Sequence, residues 1–141
     1  MNEKNWDECL SESSATISSR DIKKSKSLKE TAEGRIAFFD KQLINKDSAN
    51  YIFEGLYTSA IELLHSLVIS QGYKVSNHLC LGYYLRDVLK RSDLFRLFDD
   101  LRYKRNSIIY YGKEMDFETA KQAITNSRKL IKELREILKK A

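Results

Sequence analysis

ANYIFEGLYTSAIELLHSLVIS, residues 49–70, decides the fold. Phe53, Leu56, Ala60, Leu63 and Leu67 recur at steps of three, four, three and four, and Leu64 and Val68 widen the stripe. That spacing puts a broad apolar band on one face of a helix. Asn45-Lys46-Asp47-Ser48 supplies a turn and an N-cap ahead of it. Gly72 follows as a C-cap, because glycine alone enters the left-handed region without a Cβ clash.

The same reading extends in both directions. Upstream, Leu28, Ala32, Ile36, Phe39 and Leu43 step by four, four, three and four, so a helix begins near Ser25 or Ser27, with Gly34 weakening it. Downstream, Ser76 is the expected cap of a third helix carrying Leu79, Leu81, Tyr84, Leu85, Val88 and Leu89. Ser92 or Asp93 opens a fourth, through Leu94, Leu97, Phe98, Leu101 and Ile108 to Gly112. Asp116 caps a fifth, whose face is Phe117, Ala120, Ile124, Ile131, Leu134 and Leu138. No stretch alternates as a strand would. The expected fold is all-α, an up-and-down bundle of four main helices plus one short one, with short connections.

Residues 25–141 form the expected bundle domain. Residues 1–24 are Ser-rich and weakly patterned. Trp6, Cys9 and Leu10 have helical spacing, so this segment reads either as a short docking helix or as disordered chain.

Composition supports the helical reading. The chain has 141 residues, enough for one domain with its own core. It contains no proline, where average usage of ~5% would give about seven. Its hydrophobic fraction is 42% and its charged fraction 32%, which excludes a wholly disordered chain. No apolar run approaches the ~20 residues that span a bilayer, so no membrane association is expected. The first ten residues contain no apolar signal core. Cys9 lies in a polar segment and Cys80 in an apolar one, so both are read as free thiols. Cytoplasmic location follows as the expectation.

Net charge is +5, unevenly spread. Residues 20–46 carry eight basic and four acidic groups, and residues 128–141 carry six and two. This permits a nucleic-acid partner without requiring one.

The fourth helix holds the anomaly. Its apolar stripe runs Leu94, Leu97, Leu101, then Arg105, then Ile108. A guanidinium on a packed face must find a carboxylate, a set of carbonyls or an outside anion. Arg102, Asn106 and Tyr110 step by four beside it. Two guanidiniums, an amide and a phenol can grip a phosphate or an RNA backbone. The competing reading pairs Arg105 with Glu54, Glu62, Asp99 or Asp100 and locks helices together. In the doublets Tyr83-Tyr84 and Tyr110-Tyr111, one tyrosine of each can face the core and the other a groove or a partner. His65 and His78 share no metal spacing with the cysteines, and no nucleotide-binding glycine loop or hydrolase motif occurs, so no metal and no cofactor is expected.

YTSAIELLHSLVISQGYKVSNH, followed by a third helix and then LRYKRNSIIYYG, resembles the HEPN family of archaeal and bacterial α-helical domains. The matching positions are Tyr57, Ala60, Leu63, Leu64, Gly72 and His78, then Arg105, Asn106, Tyr110, Tyr111 and Gly112. The similarity covers about residues 25–141. It implies a homodimeric bundle whose fourth helices meet near the two-fold axis, with paired Arg105 residues lining one groove. Many relatives are metal-independent RNases in which this arginine stabilises the phosphate and a histidine moves the 2′-OH proton. Others are the toxin half of a toxin–antitoxin pair with a minimal nucleotidyltransferase, which in some relatives adenylylates a tyrosine two residues past that histidine.

Here the histidine position is Tyr110, and the expected tyrosine is Gly112. A phenol with pKa near ~10 is a poor base at neutral pH. The expected function is therefore a dimeric module of toxin–antitoxin type that binds a nucleotidyltransferase and/or nucleotide or RNA. The alternative is a metal-independent RNase. Arg105 and Tyr110 are the candidate catalytic residues, and Arg102, Asn106 and Tyr111 the candidate binding residues.

Overall fold

A computed structural model describes residues 4–141; of the N-terminal segment 1–24, residues 1–3 lie outside it. The elements are α1 (Trp6–Ser11), β1 (Ala15–Ile17), α2 (Ile22–Asp40), α3 (Ala49–Ser70), β2 (Tyr73–Val75), α4 (His78–Tyr83), α5 (Ser92–Tyr111) and α6 (Phe117–Lys140). Between α4 and α5, Tyr84–Val88 forms a π turn closed by Leu89 N–H donating to the Tyr84 carbonyl. The all-α bundle is as the sequence predicts.

α3 is the centre. Sixteen of its 22 residues are buried, among them Phe53, Leu56, Tyr57, Leu63, Leu64 and Leu67. Fully burying each such side chain contributes roughly 1.5–3 kcal/mol. By length and composition alone α3 is apolar enough to cross a membrane, which the expectation of no such run overlooked. Most of its apolar surface is instead covered by the bundle.

α2 runs antiparallel to α3: Ser25 bonds Ser66 at one end, and Phe39 faces Gly55 at the other. α6 runs antiparallel to α2, since Asp40 pairs with Arg128 and Glu33 with Arg135. Asn50 ties the start of α3 to the loop before α6, donating to the Met115 carbonyl and accepting from Met115 N–H, both at 3.0 Å.

The caps are partly as expected. Asp116 accepts from Thr119 N–H at 2.8 Å, and Gly112 ends α5 at φ 62°. α2 starts earlier than Ser25, at Ile22 after an Asp21 cap, and ends at Asp40, which leaves Leu43 79% exposed beyond it. Asn77, not Ser76, caps α4 through Cys80 N–H. Arg91 stands at the N-cap position of α5, so Ser92 is its first helical residue.

Two expectations are corrected here, and of the two readings of the N-terminal segment the short docking helix is the one observed. Strands exist: β1 and β2 pair antiparallel, Ala15 opposite Val75 and Ile17 opposite Tyr73. Three residues are too few to display an alternating pattern. The N-terminal segment is a docked strap: α1 buries Trp6 against Tyr73 and Tyr84, with ring centroids 5.3 and 5.2 Å apart. Trp6 N–H also donates to Asp87 at 2.8 Å.

The second correction concerns the cysteines: Cys9 and Cys80 are a disulfide rather than free thiols. Asp7 and Glu8 make the sequence around Cys9 polar, but one helical turn puts Cys9 on the buried face with Trp6. The bond removes the free-thiol argument for a reducing compartment.

Two glycines make opposite predictions. Both lie inside helices, where alanine is favoured by ~1 kcal/mol. At Gly34 a Cβ meets nothing within 4 Å, so Gly34→Ala should raise the melting temperature. At Gly55 a Cβ would fall on the Phe39 ring, so Gly55→Ala should lower it, by about 1–3 kcal/mol of overpacking set against that gain. Thermal unfolding followed by circular dichroism checks both signs.

Candidate functional site

One turn of α4 and the second half of α5 face each other across an open, polar cavity of about 490 Å³. Ser76, Asn77, His78 and Leu79 form one wall, and Arg102, Arg105, Asn106 and Tyr110 the other. The i, i+4 spacing on α5 places Arg102, Asn106 and Tyr110 in line, with Arg105 between them. Four of the five residues expected from sequence are therefore brought together. Tyr111, the fifth, does not line the cavity and is 81% exposed.

Arg105 is half-buried, with its guanidinium carbon 5.8 Å from the centre of the Tyr57 ring. It makes no ion pair among the described residues. Three carboxylates that could have paired with it are engaged elsewhere. Glu62 holds Arg35 at 2.9 Å, Asp99 holds Arg102 at 2.9 Å, and Asp100 holds Lys104. Glu54 feels the attraction of Arg105 without contacting it; burial holds its carboxyl above the usual range. Arg105 thus carries a positive charge toward the cavity that no neighbouring carboxylate neutralises directly.

The structure adds a residue that sequence spacing did not place there. His78, the first residue of α4, shares the cavity with both arginines. Its Nδ1 lies 3.1 Å from Tyr57 Oη, and the two rings are 5.9 Å apart. Tyr57 is thus the common support of Arg105 and His78. Burial and the positive charges of Arg105, His65 and Arg102 lower the His78 pKa to about 4. Burial also raises the Tyr57 phenol, against the pull of Arg105 and Arg102. Both groups are neutral near pH 7.

The N-terminal strap fixes this wall. Ser14 carbonyl accepts from Ser76 N–H at 2.8 Å and from Ser76 Oγ at 3.0 Å. The disulfide anchors Cys80, two residues past His78.

The tyrosine doublets behave otherwise than expected. Tyr83 and Tyr84 are both buried, while Tyr110 and Tyr111 are both exposed, at 69% and 81%. With Tyr103 and Ile109 they leave the end of α5 aromatic and apolar at the surface. His65 lies outside the cavity, beside Lys24 and Lys74. Among the described residues, no three His, Cys, Asp or Glu side chains gather as metal ligands would.

No known protein family, curated protein or solved structure matches this chain.

Proposed function

We propose that this chain is a HEPN-type helical module that binds RNA or a nucleotide through a phosphate held between Arg102 and Arg105. In this reading it is one half of a toxin–antitoxin-type pair with a minimal nucleotidyltransferase. The observation that carries phosphate binding is Arg105, a guanidinium without an ion-pair partner among the described residues, beside a second guanidinium and an amide on an open polar cavity. A planar donor fork is suited to a phosphate, and an anion between the two would relieve their mutual repulsion. The exposed Tyr103, Ile109, Tyr110 and Tyr111 support self-association along α5.

The second reading, an RNase, is supported by one further observation: His78 stands in the cavity from which the expected histidine of α5 is missing. A single experiment weighs the two. Purified protein is incubated with total tRNA in EDTA, and both retention at rising salt and fragment formation are followed. Retention that falls with salt and is lost in Arg105→Ala, with the RNA intact, supports the binding module. Fragments from the wild type alone support the nuclease. Neither retention nor cleavage would sink the phosphate-binding reading.

A further inference from the structure

We propose that His78 is the residue that takes the ribose 2′-OH proton when RNA occupies the α4–α5 cavity. This rests on the RNase reading above and names the group that performs its proton transfer from a helix outside α5.

Three arrangements carry it. First, His78 and the cationic pair line the same cavity, so a phosphodiester on Arg102 and Arg105 brings its ribose to the α4 wall. Second, the imidazole is oriented, because Nδ1 is held by Tyr57 Oη at 3.1 Å. In the tautomer that donates Nδ1–H to Tyr57, the Nε2 lone pair is left to accept a proton. Third, the backbone on either side of His78 is anchored, through Ser14 to Ser76 and through the disulfide to Cys80. A general base needs a fixed position before a favourable pKa.

The step balances within the RNA. Nε2 takes the 2′-OH proton as the 2′-oxygen attacks phosphorus. The P–O5′ bond breaks, and the 5′-oxygen takes a proton from water at the open mouth of the cavity. The resulting hydroxide takes the proton from the imidazolium. The products are a 2′,3′-cyclic phosphate and a 5′-hydroxyl, with no atom added. Arg102 and Arg105 meet the charge that gathers on the phosphoryl oxygens. Tyr110, on the opposite wall, has no assigned part in this transfer.

The charge environment gives the pH dependence. His78 is faced by Tyr57 and His65 from α3 and by Arg102 and Arg105 from α5. Its pKa is depressed to about 4, so the free protein holds it neutral and able to accept a proton down to that pH. A bound phosphate offsets the two guanidiniums and moves the pKa back toward its ordinary value. The acid limb of kcat/KM, which reports the free protein, should therefore lie below that of kcat.

The test is cleavage of total tRNA in EDTA by the wild type, His78→Ala, and His78→Ala with added imidazole. Expected are a fall of at least about 100-fold in kcat for the variant, a far smaller change in tRNA retention, and partial recovery with imidazole. Cyclic phosphate ends should appear in the wild type. Should the alanine variant not fold, His78→Gln carries the same comparison, and the two acid limbs of the wild type provide an independent readout. Full cleavage by a folded His78 variant overturns the proposal and leaves the RNase reading intact. A wild type that cleaves nothing overturns both.

Discussion

Replacing both Cys9 and Cys80 by alanine lowers the unfolding free energy by about 4 kcal/mol. The bond joins positions 71 residues apart, and closing so long a loop removes much of the freedom of the unfolded chain. For a domain of this size the loss corresponds to roughly 10–20 °C in melting temperature. Non-covalent contacts remain at the same junction: the Trp6 packing, the Trp6–Asp87 hydrogen bond and the β1–β2 pairing. The variant should therefore still fold, with the strap as its first element to open. Both sulfurs are fully buried, at 0% exposure. A small thiol should consequently reduce the native protein slowly, at the rate of local opening, and quickly once denaturant is added. Thermal melts of the double variant and of wild type with and without reductant check the size. Equal melting temperatures in all three would show that the bond contributes nothing.

The sequence already contained α3, because its apolar stripe is broad, nearly uninterrupted and bounded by good turn residues. Asp116 and Gly112 were legible for the same local reason: each acts on backbone within one turn of itself. What escaped was everything assembled from distant segments. β1 and β2 are three residues each, far apart in sequence, and their register exists only in the folded chain. Cys9 and Cys80 lie 71 residues apart in sequence and meet only through the packing of α1 against the bundle. A rule of alternate faces puts one tyrosine of each doublet inside and one outside, and neither doublet obeys it. Tyr84 opens a π turn and packs inward against Trp6, so both members of the first doublet are buried. The last turns of α5 are only partly covered, so both members of the second are exposed.

The candidate site divides the same way. Arg102, Arg105, Asn106 and Tyr110 share one helix, and helical spacing alone predicts their company. His78 belongs to another helix and reaches Arg105 by way of Tyr57, on a third. No periodicity encodes such a contact. The resemblance did include His78, as the residue that opens the helix after Gly72, but gave it no chemical part. The local signal for it is weaker: a histidine at a helix start, where the backbone disfavours its charged form, with nothing in the spacing to bring it beside Arg105.

Arg105→Ala is expected to lower tRNA retention, and cleavage where it occurs, by about 100-fold or more while leaving the melting temperature almost unchanged. The two halves of that expectation have separate physical sources. Stability should hold because the guanidinium makes no ion pair among the described residues. Its ring contact with Tyr57 is worth only about 0.5–1 kcal/mol. A buried pair behaves oppositely: breaking it strands a charge and costs about 3–5 kcal/mol. Affinity should fall because a phosphate loses a forked, charge-assisted donor, and the slope of log affinity against log salt should shrink by about one unit. Arg105→Lys separates charge from shape. It keeps the salt slope but loses the fork, so affinity should drop by about 10-fold at unchanged slope. Arg102→Ala is the less clean probe, since it also frees Asp99 from its 2.9 Å partner and leaves that carboxylate unneutralised one turn before the cavity residues of α5. A clear loss of stability in Arg105→Ala, with retention intact, would make the residue a packing element and take the cavity's phosphate chemistry away with it.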